Sequence, residues 1–75
     1  SSADAQLALK SQIPGKVVSI SVSEGDSVKK GDVVCTLESM KMQVAIKSHK
    51  DGVVKTIKVK ETATVAKGDV VAEIE

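Results

Sequence analysis

Along much of this 75-residue chain apolar and polar positions alternate with a period of two. Ile20 and Val22 stand among serines, and Val33, Cys35 and Leu37 occupy the odd positions of a later run. That spacing belongs to a half-buried β-strand. Glu24-Gly25-Asp26 and Gly31-Asp32 interrupt it, and both read as turns because glycine accepts positive φ cheaply. No segment keeps a helical period over three turns, and Asp4 to Leu9 is too short to stand alone as a helix. Beyond Glu38 the apolar residues move to even positions, at Met42, Val44 and Ile46. A shift of one residue reverses the buried face of a strand. The chain is therefore expected to turn between Glu38 and Met42, with Lys41 at a hairpin tip.

The second feature is an internal duplication. Gly15–Glu38, GKVVSISVSEGDSVKKGDVVCTLE, aligns without a gap to Gly52–Glu75, GVVKTIKVKETATVAKGDVVAEIE. The offset is 37 residues and about half the positions are identical, including the block Lys30–Val34 against Lys67–Val71. Each copy reads as strand, turn and strand, and neither is large enough to bury its own apolar side. The expectation is an all-β, pseudo-twofold sandwich in which each half covers the other. Residues 39–50 form the crossing between the copies.

Composition narrows the function. A chain of this length makes one domain with a small core. It has no Phe, Tyr or Trp, which removes the stacking platforms of single-strand and RNA readers. All eleven basic residues are lysines, ten acids nearly balance them, and the formal net charge is +1. Bidentate readout of phosphate or guanine is an arginine speciality, so nucleic acid is not an expected partner. The alternating lysines Lys55, Lys58 and Lys60 read as a solvated strand face. With a single cysteine no internal disulfide forms. No apolar run is long enough to insert in a bilayer. The chain starts at Ser rather than Met, which reads as a piece of something longer.

The residues at the expected tip carry a resemblance. Glu38-Ser39-Met40-Lys41-Met42 resembles the Glu-Ala-Met-Lys-Met sequence of biotin carboxyl carrier domains, with Ser39 in place of the commoner Ala. The flanks SEGDSVKKGDVV and GVVKTIKVKETATVAKGDVVAEIE are similar to that family as well, so the likeness runs from about Ser11 to Glu75. It implies a flattened barrel-sandwich of two four-stranded antiparallel sheets, with residues 11–75 as the domain and residues 1–10 as the end of a flexible linker. It also implies biotin as the cofactor, joined to the Lys41 amine by a biotin protein ligase using biotinyl-AMP. Glu38, Ser39, Met40 and Met42 would be read by that ligase.

Lysine amines have a reference pKa of about 10.4 and do not acylate unaided at neutral pH. Selection must therefore come from an enzyme that reads shape. A carrier of this kind is not itself a catalyst. It takes a carboxyl group from a biotin carboxylase to a carboxyltransferase, which passes it to an acyl-CoA or an oxo acid. The expected location is the cytoplasm, or the mitochondrial matrix in a eukaryote.

Two other readings remain at this stage. A lipoyl carrier of the same fold typically flanks its lysine with Asp and Ala, so the methionines favour biotin. An unmodified barrel-sandwich used only for interaction would leave Lys41 an ordinary surface residue. Met40 is expected to be exposed, whereas Met42 fits either the core or a ligase contact. Some bacterial carriers insert a "thumb" between early strands, and Val22–Val33 is too compact to hold one. His49 reads as a turn residue without partners for a metal, and Cys35 as a buried, inert thiol.

Overall fold

The computed structural model describes residues 7–75. Its eight strands are β1 (Ala8–Lys10), β2 (Gly15–Ile20), β3 (Ser27–Val28), β4 (Val33–Ser39), β5 (Met42–Lys47), β6 (Gly52–Ile57), β7 (Thr64–Val65) and β8 (Val70–Ile74). They form two four-stranded sheets, ordered β1-β8-β6-β3 and β5-β4-β2-β7. Every pairing is antiparallel. The result is a flattened sandwich of 33 × 23 × 19 Å, as the duplication and the resemblance implied. No helix among the described residues is long and apolar enough to cross a membrane.

The two copies do not sit side by side; they exchange strands. β3 of the first copy pairs with β6 of the second, and β7 of the second pairs with β2 of the first. Backbone bonds lock each exchange at equivalent places. Gly25 N donates to Val54 O and Val54 N to Asp26 O, while Thr62 N donates to Val17 O and Val17 N to Ala63 O. The side chains of Asp26, Asp32 and Asp69 each accept from a backbone N–H three residues earlier, at 2.9 Å. These bonds tie each Gly-Asp turn back to the residue that enters it.

The duplication reaches further back than Gly15. Ala8-Leu9-Lys10-Ser11 is matched by Ala45-Ile46-Lys47-Ser48, so β1 and β5 are equivalent strands. Ser11 and Ser48 are both buried, and each hydroxyl donates to the carbonyl two residues on, of Ile13 and Lys50. Ser11 N donates to Asp69 O and Gly68 N to Ser11 O; Ser48 N donates to Asp32 O and Gly31 N to Ser48 O. Three residues of the segment read as a linker, Ala8–Lys10, thus form a strand of the sheet, and Leu9 is in the core. Residues 1–6 of that segment lie outside the described residues.

The period-two reading needs one correction. Alternation places Val33 on the inward face, yet it is 38% exposed while Val34 and Cys35 are both buried. A register shift between Val33 and Cys35 explains this, because a bulge inserts an extra residue and resets the alternation. The same device recurs in β8, where Val71 and Ala72 are both buried opposite the shift in β1. The crossing of residues 39–50 likewise contains a full strand, β5.

The core is built from Leu9, Val17, Val34, Leu37, Ile46, Val65 and Val71, with Val28, Val54 and Ile74 in a smaller cluster. Cys35 is buried among them, and burial pushes its thiol pKa up. It fits the expected inert role.

Two substitutions probe this frame. Gly52 passes so close to the Glu75 carbonyl that a Cβ there would collide with backbone. Gly52→Ala is expected to lower the unfolding free energy by about 1–3 kcal/mol in urea titration. Thr62 holds φ at 74° where its counterpart in the other copy is Gly25. A β-branched residue is strained there, so Thr62→Gly should raise stability by about 1 kcal/mol in the same measurement.

Candidate functional site

Strands β4 and β5 form one hairpin, closed by the pair Ser39 and Met42. Only Met40 and Lys41 remain for the loop, so the turn predicted between Glu38 and Met42 falls on these two residues. Their φ angles are 52° and 66°. Positive φ at both central residues is the signature of a type I′ turn, whose twist matches antiparallel strands and which favours Asn-Gly. Here the positions hold two long side chains instead. Each costs about 1–3 kcal/mol in the left-handed region. A turn kept at that cost points to a use for the side chains themselves.

Lys41 is exposed, and the methionines beside it are exposed too: Met40 at 92% and Met42 at 66%. Met42 therefore belongs to the surface of the tip and not to the core, the first of the two places the sequence allowed it. Inward packing on β5 begins with half-buried Val44 and is complete at Ile46. Beneath the tip Leu37 is fully buried, opposite Val17 on one side and Val44 on the other. Gly15 lets β2 pass close to β4 at this level, since a Cβ there would lie 2.8 Å from the Glu38 carbonyl oxygen. The tip is thus a strained turn standing on a tightly packed base.

The structure brings all five residues of the motif together at this end. Glu38 is exposed, Ser39 half-buried, and Met40, Lys41 and Met42 project from the turn. Across the strands Glu38 stands opposite Lys16 on β2 and Gln43 on β5, and Lys16 in turn stands opposite Thr64 on β7. Sequence reading did not single out Lys16 or Thr64, because only the register places them beside the motif. His49 lies in the bend between β5 and β6 and is not part of the tip. Among the described residues no group of three or more His, Cys, Asp or Glu could hold a metal.

A convex tip of this kind leaves the Lys41 amine open to solvent. It suits a cofactor held by a covalent amide, which needs an accessible amine and no pocket.

Known proteins agree with that geometry. The sequence profile of the family described as "Biotin-requiring enzyme" matches residues 8–74. The chain belongs to this family. Its relatives include a pyruvate carboxylase polypeptide of Methanothermobacter thermautotrophicus, 54% identical over 39 residues, covering 52% of this chain and 7% of that protein. The mitochondrial propionyl-CoA carboxylase alpha chain of Homo sapiens is 46% identical over 39 residues, covering 52% of this chain and 5% of that protein. Biotinylated protein TB7.3 of Mycobacterium bovis is 50% identical over 34 residues, 45% of this chain and 48% of that protein. Among solved structures, the Kluyveromyces lactis urea carboxylase superposes with a TM-score of 0.86 at 34% identity, over 91% of this chain and 6% of that one. This chain is a biotin carboxyl carrier domain, and its match covers only 5–7% of the length of these carboxylases.

The strain at the tip of the carrier domain is measurable. Met40→Asn puts a residue that tolerates the left-handed region into the first loop position. It is expected to raise the unfolding free energy by about 1 kcal/mol, read from thermal or urea denaturation.

Proposed function

We propose that Lys41 is the residue that carries biotin, and that the domain shuttles a carboxyl group without catalysing either transfer. The observation that carries this reading is the two-residue turn that keeps Met40 and Lys41 at positive φ and fully displayed, at a position where Asn-Gly would be relaxed.

Attachment is an acyl transfer carried out by a biotin protein ligase. Lys41 Nζ attacks the carbonyl carbon of an acyl adenylate, a C–N bond forms, the C–O bond to AMP breaks, and the amine gives up one proton. The activated carboxyl and the base both belong to the ligase; this chain contributes the nucleophile and the shape around it. Met40 and Met42 offer polarizable, adaptable thioethers on either side of Lys41. Glu38 and Ser39 complete the surface that the ligase reads.

Once attached, biotin supplies a ureido nitrogen that takes up and gives off a carboxyl group. The domain's own work is to hold Lys41 on a rigid support and keep it accessible to two enzymes in turn. A tethered carrier gains from effective concentration, so neither visit requires tight binding. A biotin carboxylase loads the group and a carboxyltransferase unloads it. The relatives are enzymes of pyruvate, propionyl-CoA and urea, so the acceptor is set by the transferase that meets the domain. The cytoplasm or the mitochondrial matrix is the setting that suits these partners.

Co-expression with a biotin ligase should add one biotinyl mass to the chain, localised to Lys41 by peptide mapping and abolished in Lys41→Arg. Met40→Asp combined with Met42→Ala should slow labelling at least tenfold while leaving the fold intact. An unlabelled wild-type chain beside a labelled control acceptor would sink this reading.

A further inference from the structure

β1 and β5 are the outer strands of their sheets, each paired on one side only. Between them runs a groove of about 250 Å³. Its apolar part is lined by Leu9, Ile13, Val44 and Ile46, and Lys10 and Lys47 also line it, with their side chains exposed. The arrangement is symmetric, since Leu9 and Lys10 are the equivalents of Ile46 and Lys47. The core does not need these lysines, and the open edges leave backbone N–H and C=O groups of both strands pointing outward.

We propose that this groove is a resting site for the biotin arm of Lys41, an inference that rests on the reading of Lys41 given above. Three properties of the groove match three parts of the arm. The first is reach. Val44 is three residues along β5 from Lys41, about 10 Å at strand rise. The lysine side chain and a valeryl chain together extend about 14 Å. The second is polarity. An apolar lining suits the methylene chain and the sulfur ring, while a ureido group has the C=O and N–H of a peptide and pairs with an open strand edge as a strand would. The third is charge. The carboxyl cargo is an anion, and Lys10 and Lys47 are cations beside an apolar surface. An ammonium paired with the carboxylate favours the loaded form. Loss of CO2 breaks the N–C bond and leaves its electron pair on the ureido nitrogen, which takes a proton from water, so the ion pair at the carboxylate is given up. Pairing there protects the cargo between enzymes.

The test uses the 75-residue chain with and without attached biotin, modification being confirmed first by mass. A chain that takes no biotin overturns the reading of Lys41. A chain that takes biotin then reports on the groove alone. In 15N–1H spectra, attachment is expected to shift the amides of Leu9, Ile13, Val44 and Ile46, and methyl NOEs from Leu9 and Ile46 to the arm should appear. Shifts confined to residues 39–43 overturn the proposal. A second measurement follows isotopically labelled carboxyl on the loaded arm after the carboxylase is removed. Lys10→Glu with Lys47→Glu, both at exposed positions, should shorten its half-life at least twofold; an unchanged half-life removes the lysines from the proposal.

Discussion

The exchange of two short strands holds this protein together. β3 leaves the first copy to pair with β6, and β7 leaves the second to pair with β2. A copy that kept its own short strand would still expose one face of Val17, Leu37 or their equivalents to water. With the strands exchanged, each sheet contains residues of both copies, and the apolar faces close against each other. Chains of this size bury a limited share of their surface, and this one has no aromatic side chain to enlarge its core. Interlocking takes the place of bulk, with the backbone bonds at Val17 and Val54 pinning the copies at equivalent points.

Against that frame the tip stands out. The chain uses positive φ at six of its described residues, and three of them are glycines at turns. Thr62 is the counterpart of a glycine and is a local cost of the repeat having diverged. Met40 and Lys41 are different, because two consecutive long side chains occupy a turn that glycine or asparagine would relax. Packing cannot account for them, since both project into solvent. The buried Leu37 and the close approach of Gly15 to Glu38 supply the rigidity that keeps the strained turn in place.

Much of this was legible in the sequence. The repeat foretold the twofold sandwich, and the phase change from Leu37 to Val44 foretold a turn at Lys41. The turn's location survived the correction at Val33, because the bulge lies well before it. What stayed hidden depended on register or on weak signals. Alternation alone cannot show a bulge, so Val33 and Val34 changed places. The strand Ala8–Lys10 was missed because the match of Ala8-Leu9-Lys10-Ser11 to Ala45-Ile46-Lys47-Ser48 is short and lies before the stronger repeat. Met42 was ambiguous because its parity agrees with Ile46, and parity ceases to mean burial where a hairpin rises beyond the core. Lys16 and Thr64 became neighbours of the motif only through pairing.

The same features bear on the proposal that one lysine among eleven is selected for modification. The other lysines are carried on strands, bends, turns and the connecting segments, and none of them has a methionine on either side. Lys41 alone among the described lysines has positive φ and a thioether on each side. An enzyme that recognises a convex turn with two apolar knobs needs no deep site on its substrate, and a carrier that must later enter other active sites is best left without one. The same hairpin then continues into β5, whose open edge borders the groove shared with β1. One strand therefore joins the displayed turn to an apolar surface, the groove proposed above as the resting place of the arm.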